Sequence, residues 1–226
     1  MSRDDAKKAA AEQAAQWIEN GMIVGLGTGS TAAFFIESLI QRYRQGVSIQ
    51  AVPSSRHSAD LAKKGGIPVV DINSVSHIDI TIDGADEIDP QKRMIKGGGG
   101  AFVREKILAT SSREMVVIID ETKLVSQLGK AKLPVEILFY GSPATRQKLE
   151  QLGFQGKWRL NEDKTLFVTE NGNLIFDITF KQPLIDPEKA YAKIRQIPGV
   201  VDAGFFFAIA GRVIIGHNKG TIEVWN

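Results

Sequence analysis

The apolar positions in the first quarter of the chain follow helical and strand-like spacings in turn. Five residues at helical spacing precede the stop signal Asn20-Gly21 and predict an N-terminal helix: Ala6, Ala10, Ala14, Trp17 and Ile18. A short apolar strand at 22–26 follows. The next helix has Ser30 or Thr31 placed as its N-cap, and its apolar face consists of Ala32, Phe35, Ile36, Leu39, Ile40 and Tyr43.

Strands and helices go on alternating up to about residue 130. Apolar runs rich in β-branched residues predict strands at 47–52, 68–72, 78–82, 93–96 and 115–119. Helical spacing predicts helices near 56–64 and 101–111. Because strands that alternate with helices form parallel sheets covered on both faces, we expect a mostly parallel α/β sheet.

The pattern changes after about residue 130. The segments LPVEILFY, ATRQKLEQLG, LFVTENGNLIFDITF, DPEKAYAKIRQIPG and VVDAGFFFAI predict a strand, a helix, a hairpin turning on Asn171-Gly172, a helix and a strand. This β-α-β-β-α-β order is the ferredoxin-like arrangement of a small α+β domain. Two short strands in RVIIG and TIEVWN return to the first domain. We therefore expect one domain of residues 1–130 and 208–226, and a second of residues 131–207.

Composition and charge narrow the classes of function. The 226 residues are 43% hydrophobic and 24% charged, which is typical of a globular protein, and the net charge is +2. The basic residues are scattered, so we expect no nucleic-acid partner. No apolar run approaches the ~20 residues that span a bilayer and no signal peptide is evident, so we expect no membrane partner. The absence of cysteine excludes disulfide and thiolate chemistry and favours a cytoplasmic location.

The segment GLGTGST at 25–31 lies between a predicted strand and a predicted helix. Backbone N–H groups and the helix dipole bind anions at such a junction. A dinucleotide site requires glycine at Ser30 and an acidic residue after the next strand, and neither is present; a Walker lysine is also absent. We therefore expect a pocket for one phosphate or carboxylate, lined by the hydroxyls of Thr28, Ser30 and Thr31. A purely structural tight turn is the alternative.

The segment IDGADEID at 82–89 places four acidic residues after a strand: Asp83, Asp86, Glu87 and Asp89. Three interpretations are open: a solvated turn, a site for a hard metal ion, and acid–base chemistry on sugar hydroxyls. The neighbouring Lys92, Arg93 and Lys96 can neutralise the acids without an ion. The three histidines lie far apart without ligand spacing, so we expect no metal.

The segment KGGGGAFVREK at 96–106 places four glycines between Lys96 and a helix that carries Glu105. Gly97 to Gly100 can form a nest of N–H donors, and Lys96 adds a positive charge. The helix face of Glu105 is otherwise apolar, which would desolvate the carboxylate and raise its pKa as a general base requires; the alternative is a solvated glutamate near a helix end. Lys123 follows the strand 115–119, so all four motifs follow the carboxyl ends of predicted strands.

Together these segments resemble ribose-5-phosphate isomerase of type A. The resemblance runs in order along nearly the whole chain, in VGLGTGSTAAFFI, VPSSRHSADLA, IDGADEID, IKGGGGAFVREKI, DETKLVSQLGKAKLPVEI, ENGNLIFD and IPGVVDAGFF. It implies a Rossmann-like, mostly parallel sheet domain, a smaller ferredoxin-like α+β domain, and a homodimer or dimer of dimers. It also implies interconversion of ribose 5-phosphate and ribulose 5-phosphate in the pentose phosphate pathway, without a metal or another cofactor.

The resemblance further implies roles for individual residues. The family's proton acceptor, the glutamate of R-E-K, is Glu105 here, and Lys7 matches a lysine of the N-terminal helix that reaches the phosphate. Gly100 and Val103 stand where relatives can carry alanine and threonine. The segments that hold the sugar phosphate in the family fall on Thr28, Gly29, Ser30, Thr31, Asp83, Gly84, Ala85, Asp86, Lys96, Gly97, Gly98, Gly99 and Lys123.

The chemistry of an aldose–ketose isomerase explains these residue types. The reaction moves a proton between adjacent carbons through an enediolate, so it needs one base and a stabilised oxyanion. Glu105 would carry the proton from carbon 2 to carbon 1, and Lys96 would stabilise the developing charge. Asp83 and Asp86 would orient the hydroxyls and assist opening of the furanose ring.

Two other functions fit a related fold. A sugar-phosphate sensor would bind the same ligand without turnover, but it should carry a DNA-binding helical segment, for which the 21 residues before the first predicted strand leave no room. A CoA-transferase-like enzyme would use a glutamate as a nucleophile instead of a base, and trapping of its acyl intermediate would inhibit it.

Overall fold

The computed structural model describes residues 2–226. The helices of these residues are α1 Arg3–Ala15, α2 Ser30–Arg44, α3 Arg56–Lys64, α4 Phe102–Thr110, α5 Ser142–Gln151 and α6 Pro187–Arg195. The strands are β1 Ile23–Leu26, β2 Gln50–Pro53, β3 Ile78–Asp83, β4 Glu87–Ile88, β5 Met94–Ile95, β6 Ser112–Asp120, β7 Leu133–Ile137, β8 Gly156–Trp158, β9 Leu174–Ile178, β10 Val200–Ala203, β11 Phe205–Phe206, β12 Ala210–Gly216 and β13 Ile222–Trp225. Across residues 2–226, every helix is too short or too polar to span a lipid bilayer.

The chain divides into two compact units. The first comprises the chain up to Ala85 together with Arg104–Leu124 and Ala208–Asn226, and the second comprises Asp86–Val103 and Val125–Phe207. The bounds expected from the sequence put residues 86–103 and 125–130 with the first domain. In the structure β4 and β5 pair with each other and with β11, so this stretch groups with the second unit.

A six-stranded sheet lies at the centre of the first unit. Its strand order is β13-β12-β6-β3-β1-β2, and all neighbouring strands are parallel except β12 and β13. The prediction of a mostly parallel α/β sheet is therefore confirmed. The last two strands join this sheet, as the sequence predicts.

Helices cover both faces of the six-stranded sheet. Phe35 of α2 and Ala51 of β2 belong to the larger core, which also receives α1 and α3. Leu108 of α4 packs with Val52 of β2 in a smaller core. Since successive side chains of a strand point to opposite faces, Ala51 and Val52 assign the two cores to opposite sides of the sheet.

The alanine-rich helix α1 lies close against β12. Ala6, Ala10 and Ala14 are fully buried. Gly216 ends β12, and a Cβ atom at this position would lie only 1.9 Å from the carbonyl oxygen of Ala6. Small side chains on the helix and a glycine on the strand thus permit an approach that larger residues would block. Helix α1 also packs on α2 and β6.

The second unit contains two antiparallel sheets. The order of the larger is β10-β7-β9-β8, and that of the smaller is β11-β5-β4. The sequence β7-α5-β8-β9-α6-β10 has the predicted alternation of strands and helices. Leu149 of α5 and Ile194 of α6 pack with Val135 and Phe176 in one core.

Three predicted elements differ from the structure. The expected strand at 68–72 is reduced to a single bridge between Val69 and Ala51, followed by a 3-10 helix at Ile72–Ser74. The expected strand at 93–96 is the two-residue β5 of the small antiparallel sheet. The expected hairpin at 166–180 keeps only its second strand, β9, which pairs with β7 on one side and with the short β8 on the other, while its first arm forms only isolated bridges.

His217 fastens the turn between β12 and β13 to the 3-10 helix Glu121–Lys123 that follows β6. Its Nδ1 lies 2.7 Å from Glu121 Oε2, and its Nε2 lies 3.2 Å from Glu223 Oε2 on β13. The hydrogen bond with Glu121, aided by Glu223, raises the pKa of His217 above its ordinary value.

The raised pKa predicts a pH-dependent contribution to stability. Protonated His217 stabilises the fold fully below the unfolded pKa of about 6.5, and this stabilisation is lost as pH rises through the higher folded pKa. We expect His217→Gln to lower Tm more at about pH 5.5 than at about pH 9. The matched control is His57→Gln, at an exposed position of α3. Equal pH dependence of the two variants would exclude this role of His217.

Candidate active site

The first group of site residues lies at the edge of the six-stranded sheet where the strand order reverses. From β1 the chain crosses to β2 on one side and then to β3 on the other. Open α/β sheets bind ligands outside the carboxyl ends of the strands at such a reversal. Thr28 to Thr31 follow β1, and Asp83 to Ala85 lie at the end of β3. The topology thus brings these two predicted segments to one place.

Helix α2 begins without a side-chain cap. Its N-cap is Gly29, with φ of 110°, and it makes no side-chain hydrogen bond to the first turn. The prediction that Ser30 or Thr31 is the N-cap was therefore wrong: the chain turns at a conformation that glycine adopts at low cost, one residue earlier. A helix N terminus without a side-chain cap offers its N–H groups to an anion.

Lys7 of α1 reaches this loop. Its Nζ donates to Ser30 Oγ at 3.1 Å and lies 3.1 Å from Asp4 Oδ1, while its side chain is only 11% exposed. The close packing of α1 therefore places a cation beside the start of α2. An anion bound at the loop would meet this positive charge.

Asp83 joins the loop to the end of β3. The residue is fully buried, and its Oδ1 accepts hydrogen bonds from the backbone N–H of Thr28 at 3.2 Å and of Gly84 at 2.7 Å. A Cβ atom at Gly27 would lie 2.1 Å from the same Oδ1. The glycine at position 27 is therefore what allows the β1 loop to reach this carboxylate.

Three serines beneath the loop were missed by sequence reasoning. Thr28 Oγ1 lies 2.7 Å from Ser54 Oγ and 2.9 Å from Ser55 Oγ, and Ser58 Oγ donates to Gly27 O at 2.6 Å. The hydroxyl of Thr28 thus anchors the loop to the segment after β2. The signal was present, since VPSSRHS follows the carboxyl end of a predicted strand next to β1.

Glu105 and Lys123 also belong to the first unit. Glu105 lies in the first turn of α4 and is only 3% exposed. Lys123 is half-buried in the 3-10 helix after β6, which Asp120 caps by accepting from Thr122. Although burial alone would raise the pKa of Asp120, hydrogen bonds from Thr122 and Arg3 hold it below its ordinary value. Lys123 is therefore the last residue of a 3-10 turn whose N-cap is the carboxylate of Asp120.

The acidic residues that follow β3 differ in the protein groups they bind. Glu87 accepts from the backbone N–H groups of Gly129 and Ala131, and Asp89 accepts from Arg93 Nε at 2.7 Å, so both acids hold the fold of the second unit. Asp86 instead accepts from Gly98 N at 2.8 Å. Within residues 2–226, no three His, Asp or Glu side chains are grouped as metal ligands.

Lys96 is a buried cation of the second unit. It is 3% exposed, its backbone N donates to Gly204 O at 2.8 Å, and its Nζ lies 5.4 Å from the centre of the Phe206 ring. The ring face provides cation–π stabilisation for a charge that burial would otherwise disfavour. The backbone of Lys96 thus contacts Gly204, just before β11, and its ammonium group lies over Phe206 of β11.

The glycine run forms a tight turn and not an open nest of four donors. Gly97 and Gly100 have φ of 108° and 82°, and Gly100 N donates to Gly97 O at 3.0 Å. Gly98 N donates to Asp86. The prediction of a nest was therefore wrong for two of the four N–H groups. The N–H of Gly100 donates within the turn, and the N–H of Gly98 donates to Asp86. Gly98 and Gly99 are exposed.

The expectation that all four motifs share one sheet edge was also wrong. The loop after β1, the end of β3 and Lys123 belong to the six-stranded sheet. Lys96 and the glycine run follow β5, whose partners are β4 and β11. A two-residue strand carries too little pattern to show which sheet it joins.

A helix N terminus without a side-chain cap, buried carboxylates and a buried lysine are typical of an α/β enzyme that acts on a small anionic substrate. Residues 50–220 match the model of the family described as Ribose 5-phosphate isomerase A (phosphoriboisomerase A). The chain belongs to this family. It is an isomerase that interconverts ribose 5-phosphate and ribulose 5-phosphate in the pentose phosphate pathway.

Individual relatives match along the whole chain. The ribose-5-phosphate isomerase A of Protochlamydia amoebophila is 48% identical over 219 residues, which cover 97% of this chain and 94% of the relative. A solved D-ribose-5-phosphate isomerase in complex with phospho-erythronic acid is 36% identical, with a TM-score of 0.95 and 100% of each chain covered. The enzyme of Methanocaldococcus jannaschii is also 36% identical, with a TM-score of 0.93 and 100% of each chain covered.

Proposed function

We propose that the isomerisation proceeds through an enediolate, with Glu105 as the single base and the phosphate bound at the start of α2. The hydrogen bond between Thr28 N and Asp83 carries this proposal. It joins an anion-binding helix N terminus to a buried carboxylate at the reversal of strand order, which is the combination that a phosphorylated sugar requires. The resemblance of IKGGGGAFVREKI to the family supports the assignment of the base.

The phosphate end of the substrate has a defined set of binding groups in this proposal. Thr28, Gly29, Ser30 and Thr31 supply backbone N–H groups and hydroxyls at the start of α2. The Nζ of Lys7, 3.1 Å from Ser30 Oγ, supplies the charge. Binding energy from this remote group supports the chemical step at carbons 1 and 2.

The sugar end is assigned to carboxylates, lysines and the glycine turn. Asp83 and Asp86, with Gly84 and Ala85 between them, orient the hydroxyls and assist ring opening. Glu105 moves the proton between carbon 2 and carbon 1. Lys96 stabilises the oxyanion of the enediolate, and Gly97, Gly98 and Gly99 let the backbone approach the substrate closely, with Lys123 as a further substrate ligand.

We also propose finer assignments of fold and assembly. The parallel order β2-β1-β3-β6-β12 supports a Rossmann-like class for the first unit. The order β10-β7-β9-β8 with two helices supports a ferredoxin-like class for the second. The two units then correspond to two domains. The family resemblance supports a homodimer or dimer of dimers, and the lack of cysteine supports a cytoplasmic location.

Comparison of two sugars tests the proposed substrate site. We expect the protein to isomerise ribose 5-phosphate with a far higher kcat/KM than free ribose, because the phosphate contacts contribute binding energy to the transition state. Formation of the ketose measures both rates. Equal kcat/KM values for the two sugars would refute the assignment of the α2 loop to the phosphate.

Substitution of the proposed base tests the chemical step. Glu105→Gln keeps the shape of the side chain but cannot accept a proton from carbon, so we expect kcat to fall about 10²- to 10⁴-fold with KM little changed. The matched control is Glu12→Gln, which removes an exposed carboxylate of α1. The exchange of the carbon 2 proton into heavy water should disappear with kcat. Exchange at the wild-type rate would assign the base to another residue, first Asp83 or Asp86.

Lys96 is expected to act on charge that appears only during the reaction. Lys96→Met keeps much of the apolar stem beside Phe206 but removes the ammonium group. We expect kcat to fall by about 10²- to 10³-fold and KM to change much less. A raised KM with a normal kcat would instead make Lys96 a ligand of the ground-state substrate.

Chelation tests whether the acidic segment needs an ion. Asp86, Glu87 and Asp89 already accept hydrogen bonds from protein donors, which supports a metal-free site. We expect dialysis against a strong chelator to leave kcat and KM unchanged. Loss of activity that magnesium or manganese restores would give these carboxylates a metal-binding role.

A further inference from the structure

The guanidinium group of Arg159 connects the glycine turn to the four-stranded sheet of the second unit. Its Nη1 donates to the carbonyl oxygens of Gly97 at 2.8 Å and Gly98 at 3.1 Å. Its Nε and Nη2 donate to the two oxygens of Asp177 at 3.0 and 2.5 Å. The side chain is 14% exposed and lies 5.8 Å from the centre of the Phe167 ring. All three guanidinium nitrogens are therefore engaged.

The sheet holds Arg159 rigidly. Asp177 lies on β9, between Pro134 of β7 and Lys157 of β8, so its carboxylate is fixed by strands on both sides. The backbone of Arg159 is also paired, since its N donates to Ile175 O at 2.8 Å. A bidentate pair with a carboxylate fixes the plane of the guanidinium as well as its position. The guanidinium group that reaches the glycine turn is therefore held in place by the four-stranded sheet.

The two carbonyl contacts determine where the neighbouring N–H groups point. In a planar trans peptide, the C=O of one residue and the N–H of the next point in opposite directions. The Gly97 carbonyl faces Arg159, and accordingly the N–H of Gly98 points away from it, to Asp86 at 2.8 Å. The Gly98 carbonyl also faces Arg159, so the N–H of Gly99 points away from it as well.

We propose that Arg159 is a positioning residue for the isomerisation: it orients the peptide between Gly98 and Gly99 so that the Gly99 N–H donates to the enediolate oxygen. Glycine peptides rotate easily, and Gly98 and Gly99 are exposed, so a fixed direction requires a partner on the carbonyl side. Preorganised donors stabilise a transition state more than donors that must first reorient. This inference rests on the proposed role of the glycine turn.

The proposal explains why the residue is arginine. One planar group must reach two carbonyls and both oxygens of a carboxylate at the same time. A lysine ammonium retains the charge and can pair with Asp177, but its single nitrogen cannot span these four acceptors. Arg159→Lys is therefore the informative variant, because it keeps the charge balance of the second unit while releasing the glycine turn.

The test compares kcat, KM and inhibition by phospho-erythronic acid in the wild type and in Arg159→Lys. The carboxylate of this acid carries the negative charge that the enediolate would carry. We expect kcat to fall roughly 10- to 100-fold, KM to change less than about threefold, and the inhibition constant to weaken in proportion to kcat/KM. A purely structural role would lower the active fraction and Tm but would leave the inhibition constant of the folded enzyme unchanged.

A second variant provides chemical rescue. Arg159→Ala opens the guanidinium site beside Asp177, and guanidinium ion at about 10 mM, far below denaturing concentrations, should restore part of the lost kcat. Arg146→Ala is the matched control. It removes another arginine of the second unit that pairs with a carboxylate, Glu150 at 2.9 Å, and lies over a ring, Phe176 at 5.5 Å. We expect Arg146→Ala to keep the wild-type kcat and to show no activation by guanidinium.

The outcomes separate this inference from the proposed function. A wild type without activity on ribose 5-phosphate would contradict the function itself. An active wild type with an equally active Arg159→Lys variant would overturn only the role of Arg159. A raised KM at normal kcat, or losses that Arg146→Ala reproduces, would also overturn it. If Arg159→Ala does not fold, Arg159→Lys and its inhibition constant decide the question alone.

Discussion

The site in the first unit depends on the contact between the β1 loop and the buried carboxylate of Asp83. The loop can approach only because position 27 has no side chain, since a Cβ atom there would lie 2.1 Å from Asp83 Oδ1. The backbone N–H of Thr28 donates to that oxygen, and α2 begins just after it with Gly29 as its N-cap. The position of the α2 N terminus and the hydrogen bond to Asp83 therefore both depend on one backbone approach.

In the glycine turn of the second unit, glycine is required for a different reason. Side chains surround it closely: a Cβ atom at Gly97 would lie 2.7 Å from both Phe102 and Pro134, and one at Gly100 would lie 2.6 Å from Phe167. Glycine is needed there because the turn is packed on its protein side, and the positive φ values add to that need. The shape of this turn is thus set by the core beneath it.

The sequence was sufficient to predict an element where its hydrophobic pattern is long or where a strong local rule applies. The parallel sheet and the helices followed from periodicity, and the loop at 25–31 followed from its junction between strand and helix. The position of β5 could not be predicted, because two residues do not indicate a sheet partner. The link from Arg159 to Gly97 was also hidden, since it joins residues that are distant along the chain, and the approach of Lys7 to the loop of Ser30 was expected only from the family resemblance. Such contacts depend on tertiary packing and not on local preference.

The packing of α1 on β12 has a consequence for the order of events during synthesis. Helix α1 precedes the second unit in the chain, but β12 lies in Ala208–Asn226, which the ribosome adds only after that unit. The continuous stretch Val125–Phe207 can fold as it emerges, whereas the central sheet of the first unit must wait for its last two strands. Until then Ala6 has no Gly216 to pack against. The contact between Lys7 and Ser30 at the start of α2 is therefore expected to form only once β12 has been made.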